Sequence, residues 1–119
     1  MTNDQDPNCV FCGIASGEIT ADIVAETPRA VAFRDLAPQA PTHVLVIPRR
    51  HLAGLREVGP DDAGLIADLL ALVRTVVEQE GVVQGGYRVL TNDGADAGQT
   101  VFHLHFHVLG GKRITAPLA

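Results

Sequence analysis

The sequence has no apolar run long enough to cross a membrane, so it implies no membrane partner. It is short of cations, with nine Lys and Arg against 14 Asp and Glu and a net charge of −5. Sequence-independent binding to nucleic acid needs clustered cations to displace phosphate counterions, and that class is excluded. Small anions are not, because backbone amides and a few local cations can hold them. Cysteine is scarce too: Cys9 and Cys12 are the whole complement. With no secretory segment visible, they read as reduced thiols of a cytoplasmic protein rather than a structural disulfide. There is no internal repeat, low-complexity tract or linker. At 119 residues the chain fits a single domain able to bury about two-thirds of its unfolded surface. Residues 1–8 are polar and acidic and read as a flexible leader; 9–119 read as the domain.

What is present are short elements punctuated by Gly, Pro and Asp. Val10 to Ala15 reads as a short helix closed by Gly17. Ile23 to Glu26 and Ala30 to Arg34 flank Thr27-Pro28-Arg29 and read as a β-hairpin. Val44-Leu45-Val46-Ile47, stopped by Pro48, reads as a central strand buried on both faces. Over 61–80 the apolar residues Leu65, Ile66, Leu69, Leu70, Val73, Val76 and Val77 recur at three- and four-residue steps, predicting one long helix of about 30 Å. Strands over Tyr87 to Thr91 and over the histidine-bearing segment complete the inventory. The pattern predicts an α+β fold with a mostly antiparallel sheet.

The segment His103-Leu104-His105-Phe106-His107-Val108-Leu109 alternates imidazole with apolar side chains. On a strand, Leu104, Phe106 and Val108 would face the long helix and the three imidazoles the other side. Successive histidines would stand about 6–7 Å apart, close enough to act on one substrate but too far to bond each other. Imidazole has poor strand propensity, so three on one face need a chemical reason: a metal, or nucleophilic catalysis. Upstream lies Asn92-Asp93-Gly94-Ala95-Asp96-Ala97-Gly98-Gln99-Thr100, where Gly94 and Gly98 permit positive φ. A tight turn there would aim successive amides at one point as an anion nest, with the Thr100 hydroxyl beside it. Cys9 and Cys12, two residues apart, suit tetrahedral zinc if two more ligands lie nearby; a redox pair and free thiols are the other readings.

These residues resemble the histidine-triad (HIT) superfamily, whose signature is His-x-His-x-His followed by apolar positions. The likeness extends over Phe33 to Pro48 and Asn92 to Gly111, and is nearest the nucleotide-binding Hint branch, which Asn92 and Gly110-Gly111 favour. The related Fhit branch, which cleaves dinucleoside polyphosphates, shares the Ala97-Gly98-Gln99-Thr100-Val101 style of loop. The resemblance implies a HIT-like fold with about five strands, one long helix and a short N-terminal helix. It implies a hydrolase or nucleotidyl transferase acting on purine nucleoside 5′-phosphoramidates or aminoacyl-adenylates, with His105 as nucleophile and His107, His43 and His103 in support. Dinucleoside polyphosphate hydrolysis and non-catalytic nucleotide binding are the alternatives. It further implies that Asn92, Gly98, Gln99, Thr100 and Val101, with His105 and His107, contact the phosphate. Asp35 would accept from the ribose hydroxyls, and Val10, Phe11, Ile14, Phe33 and Leu36 would line the base slot. Bacterial relatives join a cysteine pair to two histidines around structural zinc; the matching set is Cys9, Cys12, His51 and His103. No organic cofactor is implied, and a homodimer through the long helix and the strand near Tyr87 is. The chain has no tryptophan, and its end, Lys112 to Ala119, departs from the aromatic tail of familiar Hint proteins.

Overall fold

The computed structural model describes residues 6–115. Helix α1 runs Val10–Ser16, and five strands follow as β1 (Ile23–Glu26), β2 (Ala30–Arg34), β3 (Thr42–Pro48), β4 (Tyr87–Leu90) and β5 (Phe106–Gly110). Helix α2, Ala63–Gln79, lies between β3 and β4. The strands form one sheet in the order β1-β2-β3-β5-β4, antiparallel at every pairing. This is the five-stranded α+β arrangement expected. Among the described residues no helix is long and apolar enough to cross a membrane.

Local chemistry sets each element. The Sγ of Cys9 accepts the N–H of Cys12 and caps the start of α1, and Gly17, at φ 87°, closes its end. Part of the expected leader is tied down: Asp6 accepts from the amides of Cys9 and Asn8, and its own N–H donates to the Cys12 sulfur at 3.3 Å. Residues 1–5 of that leader lie outside the described residues, as do 116–119 of the tail. In the hairpin turn, Thr27 exchanges bonds with Ala30 through its amide and hydroxyl.

β3 is buried along its whole length, as its apolar run predicts. One face carries α2 through Leu65, Leu69, Leu72, Val73, Val76 and Val77; the other carries α1 through Phe11, Ile14 and Ala15. The helix starts later than expected because Pro60–Asp62 form a 3-10 turn, in which Asp62 accepts from Gly59 N–H and Arg50. The buried stripe also differs from the expected one: Leu70 is exposed, Ile66 is only partly buried against the core, and Leu72, one turn beyond Leu69, joins the stripe.

The histidine strand is shorter than expected. The ladder begins at Phe106, paired with Val46, and continuing the register would set Leu104 opposite Pro48. Proline has no N–H to give, so pairing stops there. His103, Leu104 and His105 run on outside the ladder, with Leu104 N–H donating instead to the carbonyl of Leu52. The alternation survives: Leu104, Phe106 and Val108 pack on the α2 side, while His103 and His105 are buried towards α1.

Candidate active site and metal cluster

His105 sits at the centre of the site. Its ring meets Phe11 edge to face at 5.1 Å and His107 at 5.0 Å, and its Nδ1 lies 2.6 Å from the carbonyl oxygen of His103. A carbonyl only accepts, so Nδ1 carries the hydrogen and Nε2 carries the lone pair. The hydroxyl of Thr91 donates to the His105 carbonyl at 2.7 Å and holds the backbone on the β4 side.

A second chain of bonds fixes the other imidazoles. Gln39 N–H donates to Nδ1 of His43 at 3.0 Å, so His43 must carry its hydrogen on Nε2. That Nε2 stands 2.9 Å from Nδ1 of His107, which therefore accepts, leaving His107 with Nε2–H as a donor. His43 was expected only as a supporting histidine, and this wiring depends on a backbone amide that no motif announces. Burial holds the His43 imidazole below its ordinary value, partly offset by Asp35. Burial, then the neighbouring His105 and His43, pushes His107 down to about 4. At neutral pH His107 is an uncharged donor beside the His105 ring.

His105 and His107 line a pocket of about 330 Å³. Of the expected base-slot residues, Val10, Phe11, Ile14, Phe33 and Leu36 all border it, but Leu36 is fully exposed and stands at the rim. Ile19 and Leu45 also line it and were not foreseen. Leu45 could have been: it lies opposite His107 in the sheet and on the α1 side of an alternating strand. Asp35 is on the wall, with Oδ1 accepting from Ala37 N–H at 2.8 Å and Oδ2 3.5 Å from His43 Nε2.

In the glycine-bearing loop, Gly94 and Gly98 take positive φ, 97° and 92°. The amides of Ala97, Gly98 and Gln99 nevertheless bond back into the loop, so the expected nest of successive free amides does not form there. Gln99, expected at the phosphate, is bonded within the fold. It is buried; its Oε1 accepts from Gly94 N–H, and its Nε2 donates to the carbonyls of Ala53 and Val101. Through these bonds the side chain ties the loop to residue 53 and to its own next turn. Thr100 and Val101 do border the pocket; Asn92, Gly98 and Gln99 do not. Among the described residues the amides of Thr100 and Val101 have no acceptor.

Cys9, Cys12, His51 and His103 come together, with one ligand atom from each lying within 4.8 Å of the others. Nδ1 of His103 is 3.4 Å from the Cys9 sulfur and 3.5 Å from that of Cys12, and Nδ1 of His51 is 3.4 Å from Cys12. Nε2 of His103 lies 2.7 Å from the Pro48 carbonyl, which fixes the hydrogen on Nε2 and turns the Nδ1 lone pair to the thiols. Two thiols and two such nitrogens fit a tetrahedral divalent metal. Burial lowers His103 to about 4, the neutral form a ligand requires. Asp35, His43 and His107 also converge within 4.8 Å but do not fit. A neutral His43 bound through Nε2 would need its hydrogen on Nδ1, against the Gln39 N–H.

A model of the HIT domain matches residues 16–114. The chain is 46% identical over 108 residues to an uncharacterised HIT-like protein of Synechococcus elongatus, covering 91% of this chain and 94% of that one. It is 36% identical over 110 residues to the purine nucleoside phosphoramidase of Escherichia coli, covering 92% of each. Among solved structures, a HIT family hydrolase from Legionella pneumophila superposes with a TM-score of 0.91 at 45% identity, covering 94% of this chain and 100% of that one. One from Clostridium thermocellum gives 0.93 at 41% identity, covering 97% and 100%. With the imidazoles of His105 and His107 on one pocket, that of His103 in the neighbouring cluster with Cys9, Cys12 and His51, and these likenesses running nearly end to end, the chain belongs to the HIT-domain family.

Proposed function

We propose that the chain is a nucleotide hydrolase or nucleotidyl transferase that cleaves purine nucleoside 5′-phosphoramidates or aminoacyl-adenylates through a nucleotidyl-His105 intermediate. The observation that carries this reading is the 2.6 Å contact between His105 Nδ1 and the His103 carbonyl, which leaves Nε2 as the nucleophile on the pocket wall. The named activities of the relatives, a phosphoramidase and a HIT family hydrolase, support it.

In the first displacement the Nε2 lone pair attacks the α-phosphorus. The N–P bond to His105 forms as the bond to the leaving group breaks: the amine of a phosphoramidate leaves with a proton from solvent, and the aminoacyl carboxylate of an acyl-adenylate leaves without one. His105 is then a phosphorylated imidazolium whose Nδ1–H faces the His103 carbonyl, a fixed acceptor for the charge that develops. His107 donates through Nε2–H to a phosphoryl oxygen, held in that tautomer by His43. In the second displacement water forms the new P–O bond, the His105–P bond breaks, and one proton returns to solvent. Asp35, acceptor only when ionised, binds the ribose hydroxyls, and the apolar wall of Phe11, Ile14 and Phe33 takes the base. Cys9, Cys12, His51 and His103 hold a structural zinc, which when bound cross-links α1 to the segment after β3. The partner is a second copy of the chain, joined at the open edge of β4.

The test is turnover of adenosine 5′-phosphoramidate beside a diadenosine polyphosphate at equal concentration, with protein quenched in alkaline denaturant, where a P–N bond survives, mapped for an added nucleotide. The reading expects preference for the phosphoramidate and modification at His105 alone. His105→Asn should abolish turnover while AMP affinity stays within about tenfold, or 1.4 kcal/mol. Turnover surviving that substitution excludes the covalent route.

A further inference from the structure

The outer side of the glycine-bearing loop is bonded to a segment that takes no part in the chemistry. Asp93 accepts the backbone N–H of Arg56 through Oδ2 and its Nε–H through Oδ1, both at 2.7 Å. Six residues on, Gln99 Nε2 donates to the Ala53 carbonyl at 2.7 Å while Oε1 accepts from Gly94 N–H at 2.7 Å. Leu104 N–H donates to the Leu52 carbonyl at 2.6 Å. Segment 52–56 is thus bonded to the loop at Asp93 and Gln99 and to the histidine segment at Leu104.

Two glycines permit the approach. A Cβ on Gly54 would stand 3.1 Å from the Asp93 carboxylate carbon and oxygen. One on Gly94 would stand 2.9 Å from the Arg56 guanidinium, and at φ 97° and ψ 164° that backbone is open to glycine almost alone. The lock is therefore close-packed where Gly54 meets Asp93, while the neighbour of Gly94 is the movable end of the Arg56 side chain. Between its two attachment points the loop turns through residues 95–98, and directly after Gln99 come Thr100 and Val101, which border the pocket with amides that have no acceptor among the described residues.

We propose that Asp93 and Gln99 are positioning residues that lock the loop to segment 52–56 and thereby hold Thr100 and Val101 where they receive the phosphoryl group. This rests on the nucleotide reading above. The lock sets affinity for the phosphate and leaves the nucleoside, held by Asp35 and the apolar wall, unaffected. The Arg56 side chain is 69% exposed and its ion pair adds little, as exposed ion pairs do. The backbone N–H of residue 56 carries the Asp93 contact and persists whatever side chain stands there.

The experiment is calorimetric binding of AMP and of adenosine to the full chain, each variant first checked for cooperative melting. Asp93→Ala is expected to weaken AMP at least tenfold and adenosine less than twofold. Asp93→Asn keeps an oxygen for the Arg56 N–H and should stay within about threefold of wild type for AMP, as should Arg56→Ala. Gly54→Ala, which presses one methyl against Asp93 without removing it, should weaken AMP selectively even if Asp93→Ala does not fold. AMP binding unchanged in both Asp93→Ala and Gly54→Ala, or AMP and adenosine weakened in step, overturns the positioning role. Wild type that binds neither ligand overturns the nucleotide reading itself, a result distinct from wild-type binding that the variants fail to alter.

Discussion

The backbone N–H of Gln39 donates to Nδ1 of His43, and this one bond decides which nitrogen of His107 can donate. Nitrogen NMR of labelled protein at pH 7 should show both His43 and His107 neutral and in the Nε2–H form. Gln39→Ala keeps the amide and should leave those signals in place, whereas Gln39→Pro removes it and should release His43 into mixed tautomers. Identical spectra for the two variants would mean that the amide does not govern the relay.

Acid should weaken the fold through the same pair. Burial depresses His43 and takes His107 from 6.5 to about 4, so the unfolded chain binds more protons than the folded one between those values. Stability is therefore complete above about 6.5 and declines as pH falls towards 4. The depressed carboxylates of Glu80, held down by Arg34, and Asp62, held down by the Gly59 amide and Arg50, add their losses only at lower pH. Melting temperatures measured from pH 7.5 to 4.5 in chelator should fall steadily; a flat profile would contradict the assignment.

Removing metal should cost stability before chemistry. With zinc at about 100 times its dissociation constant, the bound form gains about 2.7 kcal/mol, which melting in the presence and absence of chelator would read. Cys12→Ser should melt near the chelated wild type and ignore added zinc. A wild-type melting temperature indifferent to both chelator and zinc would leave the four ligands without a metal.

Asp35 should distinguish sugars. On the reading that its carboxylate accepts from the two vicinal ribose hydroxyls, AMP should bind more tightly than 2′-deoxy-AMP by about 1.5–3 kcal/mol, the range for hydrogen bonds to a charged group. Asp35→Ala should erase most of that difference. If the variant discriminates as wild type does, the carboxylate serves His43 instead of the ribose.

Much of this was legible in the residues. Period-two alternation placed Leu104, Phe106 and Val108 on the helix side, and the positive φ of Gly94 and Gly98 was readable from their type. Glycine with nothing following it to extend α1 marked its end correctly at Gly17. What could not be read depended on partners distant in sequence. The ladder stops at Phe106 because Pro48, on another strand, has no N–H. That Gln99 bonds the Ala53 carbonyl, 46 residues away, had no signal in the loop itself. Leu70 and Leu72 are equally apolar, and only the direction of approach of the sheet chooses between them.

His103 meets the thiols with its ring and the His105 ring with its backbone oxygen. Two duties thus occupy one position without sharing an atom. A lineage could abandon the sulfur-bearing corner and exchange that imidazole for another side chain, and the oxygen that orients His105 would still be supplied by whatever amino acid replaced it.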